Sequence, residues 1–336
     1  MMKLLSVCAG LVMAAGSISP ALAETELRIA TLAPEGSDWM KEFDKAAAET
    51  KEKTSGRVIL KYFAGGQQGD ERDYVRKIKL GQLDGAGVTS IGLSMIDESI
   101  RVLEVPMMFK DINEVDYVAD KMWGYFQKKF EGKGFKLNDR GEVGWIYVYS
   151  KDKLETVDQM KKAKIWQWGD DKIIASLYGK LGLTGVPLGV PEVDSSLTSG
   201  RLTAAYGSPY STVALQWFSK VKFMTSMPMS FAIGASVVSI DATKKISAED
   251  QKTILEVAKS SAKKLRKVIR KANDEAKETM KKRGIVVVTT PAETVTAFEK
   301  AAVEVQKAMV AKGVFSQQEL DMVIKYRDEY RAKNKK

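Results

Sequence analysis

The chain has 336 residues, a formal charge of +10, a single cysteine and no histidine. Without histidine, Ser-His-Asp and Cys-His nucleophiles, imidazole acid–base chemistry and histidine-held metals are excluded together. An enzyme would be left with carboxylate, lysine or tyrosine chemistry, and no two acids of the sequence are committed to one cleft at the separation a carboxylate pair needs.

The N-terminus reads Met1-Met2-Lys3, an apolar run from Leu4 to Ala15, then Ala21-Leu22-Ala23 before Glu24. A basic start, a short apolar segment and a small-x-small site predict a secretory signal peptide over 1–23, with export to the periplasm. The run is too short for a membrane span. Cys8 falls inside it, with Val7 where a lipoprotein signal wants a small residue, so a mature chain from Glu24 is expected to carry no thiol, disulfide or lipid anchor.

From Glu24 the apolar pattern predicts a strand over 27–31. Ser37 is the expected cap of a helix over 38–54, followed by a strand over 58–63, a glycine-rich loop, a helix over 70–80 and a strand over 85–89. Strand-helix-strand-helix-strand argues for an α/β fold with a parallel sheet, whose ligands gather beyond the carboxyl ends of the strands. Those ends carry Trp39, Asp70 and Thr89. Gly85-Ala86-Gly87 is a lone GxG with no Walker loop beside it, so no cofactor or metal is expected.

A helix over 117–130 precedes a second αβ set with strands over 144–149, 163–168 and 202–206 and helices over 172–181 and 192–198. Side chains two apart on a strand share a face, so Trp166 and Trp168 project together while Gln167 points away. A strand over 232–240 returns toward the first lobe. Ser247-Ala248-Glu249-Asp250 then reads as a capping box opening a helix to Gly284, roughly 50 Å long at 1.5 Å per residue. Such a helix is longer than one lobe and should brace both. A strand over 285–289, further helix and a fraying Lys333–Lys336 tail complete the chain. The densest basic run, Lys263 to Lys271, keeps helical apolar spacing and reads as a solvated helix face, so no nucleic-acid partner is expected. The expected lobes are 24–143 plus 232–271 and 144–231 plus 272–336, with the long helix over 248–283 spanning both.

Gly56-Arg57-Val58, Gln68-Gly69-Asp70-Glu71, Leu80-Gly81-Gln82-Leu83-Asp84, Val105-Pro106 and Met160-Lys161-Lys162-Ala163-Lys164-Ile165 follow one another in this order after a secretory signal. Together with the very long helix they resemble the substrate-binding proteins of tripartite ATP-independent periplasmic (TRAP) transporters, of the C4-dicarboxylate-binding type, over essentially the whole mature chain. The resemblance implies a two-lobed periplasmic binding protein that closes on a solute in the cleft and delivers it to the permease subunits of an ion-gradient-driven transporter; a monomer is expected. It implies no enzyme.

It also implies an arginine that holds a carboxylate from a Lys-hydrophobic-Arg-Val-Pro strand, and here that strand is Lys164-Ile165-Trp166-Gln167-Trp168. The arginine position is Trp166. A second arginine position falls on Ile146, and the usual asparagine of a Glu-Asn-Pro run falls on Ser208 of Gly207-Ser208-Pro209. A bidentate arginine–carboxylate pair contributes about 1.5–3 kcal/mol net and fixes ligand orientation. Tryptophan offers instead an apolar face, about 150–250 Å² when buried, and one N–H donor. The expected solute is therefore aromatic or otherwise hydrophobic. Trp145, Trp166 and Trp168 would form its walls, with Trp39, Tyr206 and Tyr210 as further aromatic candidates and Asp70, Thr89 and Ser208 as polar orienting groups. Trp123 and Trp217 read as core. Alternatives are a quaternary ammonium held by the aromatic cage with Asp170 or Asp171, an organic acid held by lysine or backbone N–H groups, an exported carboxylate-dependent enzyme, and a sensor that presents its ligand to a receptor domain.

Overall fold

The computed structural model describes residues 24–334, so the expected signal peptide, Cys8 and the last two lysines of the tail lie outside the described residues. The first strand, β1 (Thr25–Thr31), leads into α1 (Asp38–Lys53), whose cap is Ser37 as expected: its Oγ accepts from the Met40 N–H at 3.3 Å. Then come β2 (Val58–Phe63), α2 (Glu71–Lys79), β3 (Gly85–Thr89) and the short α3 (Ser90–Ser94). A 3₁₀ segment over Glu98–Glu104 precedes α4 (Ile112–Glu131). That helix begins earlier than its apolar pattern suggests, because Asp111 accepts from the Asn113 and Glu114 N–H groups and caps it there.

A long strand, β4 (Phe135–Ser150), leaves this half of the molecule. The second half contains α5 (Val157–Lys161), β5 (Ile165–Trp168), α6 (Lys172–Leu181), β6 (Gly185–Leu188), α7 (Val193–Ser199), β7 (Ala204–Gly207), α8 (Pro209–Ala214) and β8 (Phe223–Thr225). Next, β9 (Ser230–Ser239) returns, followed by α9 (Ile240–Thr243), α10 (Ala248–Lys282), β10 (Val286–Val288), α11 (Ala292–Ala311) and α12 (Gln317–Lys333).

Two sheets share β4. On one side the order is β2-β1-β3-β9-β4, with β1 parallel to both β2 and β3 and β9 antiparallel to its neighbours. On the other, β4 continues antiparallel to β7 and β8, and β7, β5 and β6 follow in parallel register. The fold is thus α/β and two-lobed. The sequence shows only the second part of β4, since Asn138-Asp139-Arg140-Gly141 has the composition of a turn. The strand continues through it because β9 pairs alongside, with register shifts between Leu137 and Arg140 and between Glu142 and Gly144. Among the terminal helices, α11 packs on α6 of the second lobe, whereas α12 crosses back onto α4, where Arg331 pairs with Glu114 and Lys129 with Glu319.

The long helix braces both lobes. Its N-terminal half packs on α1, and its later half, through Ile269, Ala272, Ala276 and Met280, follows β4 and α8. Only one arm of the expected capping box forms: Ser247 accepts from the Asp250 N–H, while the Asp250 carboxylate is taken by Arg57 at 2.7 and 2.9 Å. Where β4 crosses between lobes, Arg270 of α10 grips Glu142 and Asp116 through four hydrogen bonds of 2.7–2.9 Å. Those two carboxylates hold its guanidinium above the ordinary arginine range despite partial burial. Asn273, one turn on, donates to the Val143 carbonyl at 3.0 Å and accepts from the Tyr210 N–H at 3.0 Å.

This crossing requires a glycine. Gly144 has φ +114°, and a Cβ there would stand 2.7 Å from the Asn273 amide nitrogen. Replacing Gly144 with alanine is expected to lower stability by roughly 1–3 kcal/mol. Gly124, exposed in the interior of α4 with open space around it, should gain about 0.5–1 kcal/mol from the same change. Thermal unfolding of the two variants checks this; equal melting temperatures would remove the constraint from the crossing.

Candidate functional site

The carboxyl ends of β1, β3, β5 and β7 face one another across the cleft between the lobes and open onto a cavity whose whole volume, reaching on beneath α10, is about 250 Å³. Its wall on the second lobe is aromatic. Trp166 and Trp168 share a face of β5, as the strand period requires, with ring centroids 5.6 Å apart. Trp166 stacks on Tyr206 of β7 at 4.6 Å and meets Trp217 edge-on at 5.4 Å. The Trp166 ring is only 2% exposed, its Nε1–H donating to the Leu188 carbonyl at 2.9 Å and its own carbonyl accepting from the Tyr178 hydroxyl. It is therefore both core and cavity wall. Trp217 lines the cavity too, although its sequence context reads as core.

The facing wall comes from the first lobe: Thr31, Leu32, Trp39 and the turn from Thr89 into α3. Thr89 caps α3 by accepting from the Ile91 N–H at 3.2 Å, and its hydroxyl donates to Glu71 at 2.8 Å. The other sequence-predicted residues stand at the rim or behind the walls. Asp70, at the start of α2, spends its carboxylate across the cleft, accepting from the Trp168 Nε1–H at 3.1 Å and the Val190 N–H at 2.9 Å. Tyr210 packs on Trp39 at 4.6 Å, and its hydroxyl accepts from the Asp38 N–H at 2.6 Å, a second tie between lobes. Trp145 packs edge-on against Phe231 and does not line the cavity. Ser208 is fully buried as the cap of α8, accepting from the Ser211 N–H at 3.1 Å, and does not line it either. Ile146, at the second expected arginine position, does.

The site also contains a charged cluster that the sequence pattern does not announce. Arg101, in the 3₁₀ segment, donates to Asp171 of the opposite lobe at 2.9 Å and lies 3.8 Å from Glu104. It is the one cation among the described lining residues. Burial works against its charge, but the Asp171 and Glu104 carboxylates outweigh that and hold it charged. Asp171 also caps α6, accepting from the Ile173 and Ile174 N–H groups. Glu104 accepts from Ser90 Oγ and, at 2.5 Å, from the Ile233 N–H, and burial pushes its carboxyl upward. Glu71, 1% exposed, accepts from the Thr89 N–H at 2.8 Å and the Gly92 N–H at 2.7 Å. Burial outweighs those bonds and pushes it up to about 8. Near neutrality the cavity thus presents aromatic faces, an arginine already paired, and one carboxyl, Glu71, that favours its protonated form. Asp171 sits beside the tryptophan strand in sequence; nothing in the composition of Glu98–Glu104 marks Arg101 as a cavity residue.

The family described as bacterial extracellular solute-binding protein, family 7, matches residues 29–313. The chain belongs to this family. A solute-binding protein of Verminephrobacter eiseniae is 25% identical over 246 residues, covering 72% of this chain and 73% of that protein. The 2,3-diketo-L-gulonate-binding periplasmic protein YiaO of Escherichia coli is 24% identical over 242 residues, covering 71% and 73%. In structure, a TRAP periplasmic solute-binding protein of Xanthobacter autotrophicus with bound β-D-galacturonate superposes with a TM-score of 0.83 over 90% of this chain and 99% of that one, at 21% identity. A Bordetella pertussis extracytoplasmic solute receptor that binds pyroglutamic acid gives 0.82 over 90% and 99%, at 15% identity. This family member is thus a solute-binding protein and not an enzyme, and among its described residues no helix is long and apolar enough to cross a membrane.

Two outcomes follow for the site residues. Trp166→Ala removes the centre of the aromatic stack and is expected to destabilise the protein by about 3–5 kcal/mol in denaturant unfolding; a loss under 1 kcal/mol would mean the stack is not packed as described. The second concerns pH. Because burial raises Glu71 above its unfolded value, its contribution is present below about pH 4.5 and is lost as pH rises toward 8, with a slope of at most about 1.4 kcal/mol per unit. Glu71→Gln should flatten that decline between pH 5 and 8, and parallel curves for the two proteins would contradict it.

Proposed function

We propose that this receptor closes on a hydrophobic or aromatic solute in the periplasm and delivers it to the membrane subunits of a TRAP-type transporter. The observation that carries the reading is Trp166, buried at the position where the family resemblance implies a carboxylate-binding arginine, stacked on Tyr206 and tilted against Trp168 at the cavity wall. At about 25 cal/mol per Å², burying a ligand ring against such a wall recovers what an arginine–carboxylate pair would have contributed. The acidic surroundings also favour an uncharged solute, since a carboxylate entering beside Glu71, Glu104 and Asp171 would meet acids and only one cation, itself occupied. A cationic solute gains little: Asp171 is tied to Arg101, and Asp170 points outward to Arg72.

Closure would turn about the two crossings, Gly141 to Gly144 on β4 and Phe231 to Gly234 on β9. The contacts of Asp70, Tyr210 and Asp171 across the cleft are those a closed state makes and an open one lacks, which is how a ligand that completes the cleft shifts the population toward closure.

A second reading has one observation in its favour. Arg101 reaches the cavity with its Nε buried and without a hydrogen-bond partner, so an organic acid of the kind bound by the structurally similar receptors could dock there if Asp171 yielded. Thermal-shift titration of refolded protein separates the readings. At a hundred times its dissociation constant a ligand adds about 2.7 kcal/mol. Shifts with indole and benzyl alcohol and none with D-glucuronate or pyroglutamate support the apolar cleft. Shifts with the acids alone, abolished by Arg101→Lys, would replace it with the second reading.

A further inference from the structure

The cavity does not end at the cleft. Past Thr31 and Gly87 it continues into the first lobe, between the sheet and the pair of helices α1 and α10. There it is floored by Leu27, Ile29 and Leu60 and roofed by a strip of α10 that recurs at helical spacing: Ile254, Val257, Ala258, Ser261, Ala262 and Leu265. From Ile254 to Leu265 that strip is about 16 Å long. Small side chains keep it open. Ala46 of α1 and Ala258, Ser261 and Ala262 of α10 face the space, and Gly87 lets the Phe43 ring lie where a Cβ would come within 3.3 Å of it.

The buried side chains of the first lobe divide accordingly. A small cluster of Leu27, Ile29, Val58, Val238, Ala242 and Ile246 packs apart from the main core, with Leu60, Tyr62 and Ile254 half-buried against it. A close-packed interior of one domain ordinarily forms a single contiguous core. Here an elongated apolar space lies beside the smaller cluster, and Thr50, fully buried on its wall, has a hydroxyl with no hydrogen-bond partner.

Resting on the apolar reading of the cleft, we infer that the solute is an amphiphile with one long unbranched alkyl chain. Its uncharged polar head lies among Glu71, Arg101 and the tryptophans, and its chain threads beneath α10. The shape selects the chain: an apolar passage that runs about 16 Å along α10 beyond the cleft takes a flexible hydrocarbon, whereas the cleft alone would suffice for a compact ring. The charge selects the head, since the one lining cation, Arg101, is already paired with Asp171 and leaves an anion without a free counter-charge, whereas a hydroxyl can hydrogen-bond to the carboxyl oxygens of the cleft. Each methylene drawn in contributes about 0.8 kcal/mol, or roughly fourfold in affinity.

The test is a series of straight-chain primary alcohols from butanol to hexadecanol, with benzyl alcohol and D-glucuronate alongside, binding followed by tryptophan fluorescence. The dissociation constant is expected to fall about fourfold per methylene and then level off when the passage is filled. Ala262→Phe, which plugs the roof, should bring the plateau to shorter chains and leave butanol and benzyl alcohol unchanged. If that variant fails to fold, an alkanol with a terminal diazirine, photolysed on the wild-type protein, should label peptides of α1 and α10. Affinity independent of chain length, or labels confined to β5 and β7, would overturn the alkyl passage while benzyl alcohol binding left the apolar cleft standing. Binding of D-glucuronate alone would overturn both.

Discussion

The ion pair between Arg101 and Asp171 reaches across the cleft and decides what the cleft can be. It joins the 3₁₀ segment of one lobe to the cap of α6 in the other, with both side chains almost wholly buried. A buried pair is weak evidence for stability, because desolvating two charges can cancel their attraction, but breaking it leaves an uncompensated charge inside. Its consequence is chemical. The cavity's cation is spent on the protein, Glu104 shares its field, and buried Glu71 favours the neutral form. Once the arginine is occupied, selection falls to the aromatic stack around Trp166 and to the shape of the space beside it.

The scaffold supports that arrangement at the crossings. β4 passes from one sheet to the other, bulged at both sides of Arg140 and turned at Gly144, and β9 runs beside it. Helix α10 holds both strands' surroundings through Arg270 and Asn273. Its early part, built from small residues, leaves space over the first sheet, while its later part is packed tightly along β4 and α8. One helix thus serves as brace at one end and as the roof of a cavity at the other.

Much of this was legible in the sequence. Alternating strands, helix caps at Ser37 and Ser247, the two-lobed order of elements and the long helix all follow from local patterns, because each is fixed by residues close together in the chain. The pairing of Trp166 with Trp168 follows from the strand period, and the family resemblance stands. What the sequence hid depends on contacts between distant segments. The first part of β4 looks like a turn and becomes strand only through β9. Arg101 and Glu104 sit in an unremarked stretch and acquire meaning only when Asp171 closes over them. Ser208 and Trp145 belong to plausible positions by alignment of motifs, yet the cap of α8 and the Phe231 contact place them away from the cavity wall. Asp70 does span the cleft, as a latch to Trp168 and Val190.

The central claim is that the cleft takes an apolar solute in place of an acid, and the solute carried by protein from its own host tests it without prior choice of ligand. The receptor, purified natively without refolding, would be weighed by native mass spectrometry, then denatured and extracted between organic solvent and water. A bound mass that partitions into the organic phase is the predicted result. A polyhydroxy or dicarboxylic acid recovered from the water would contradict the account.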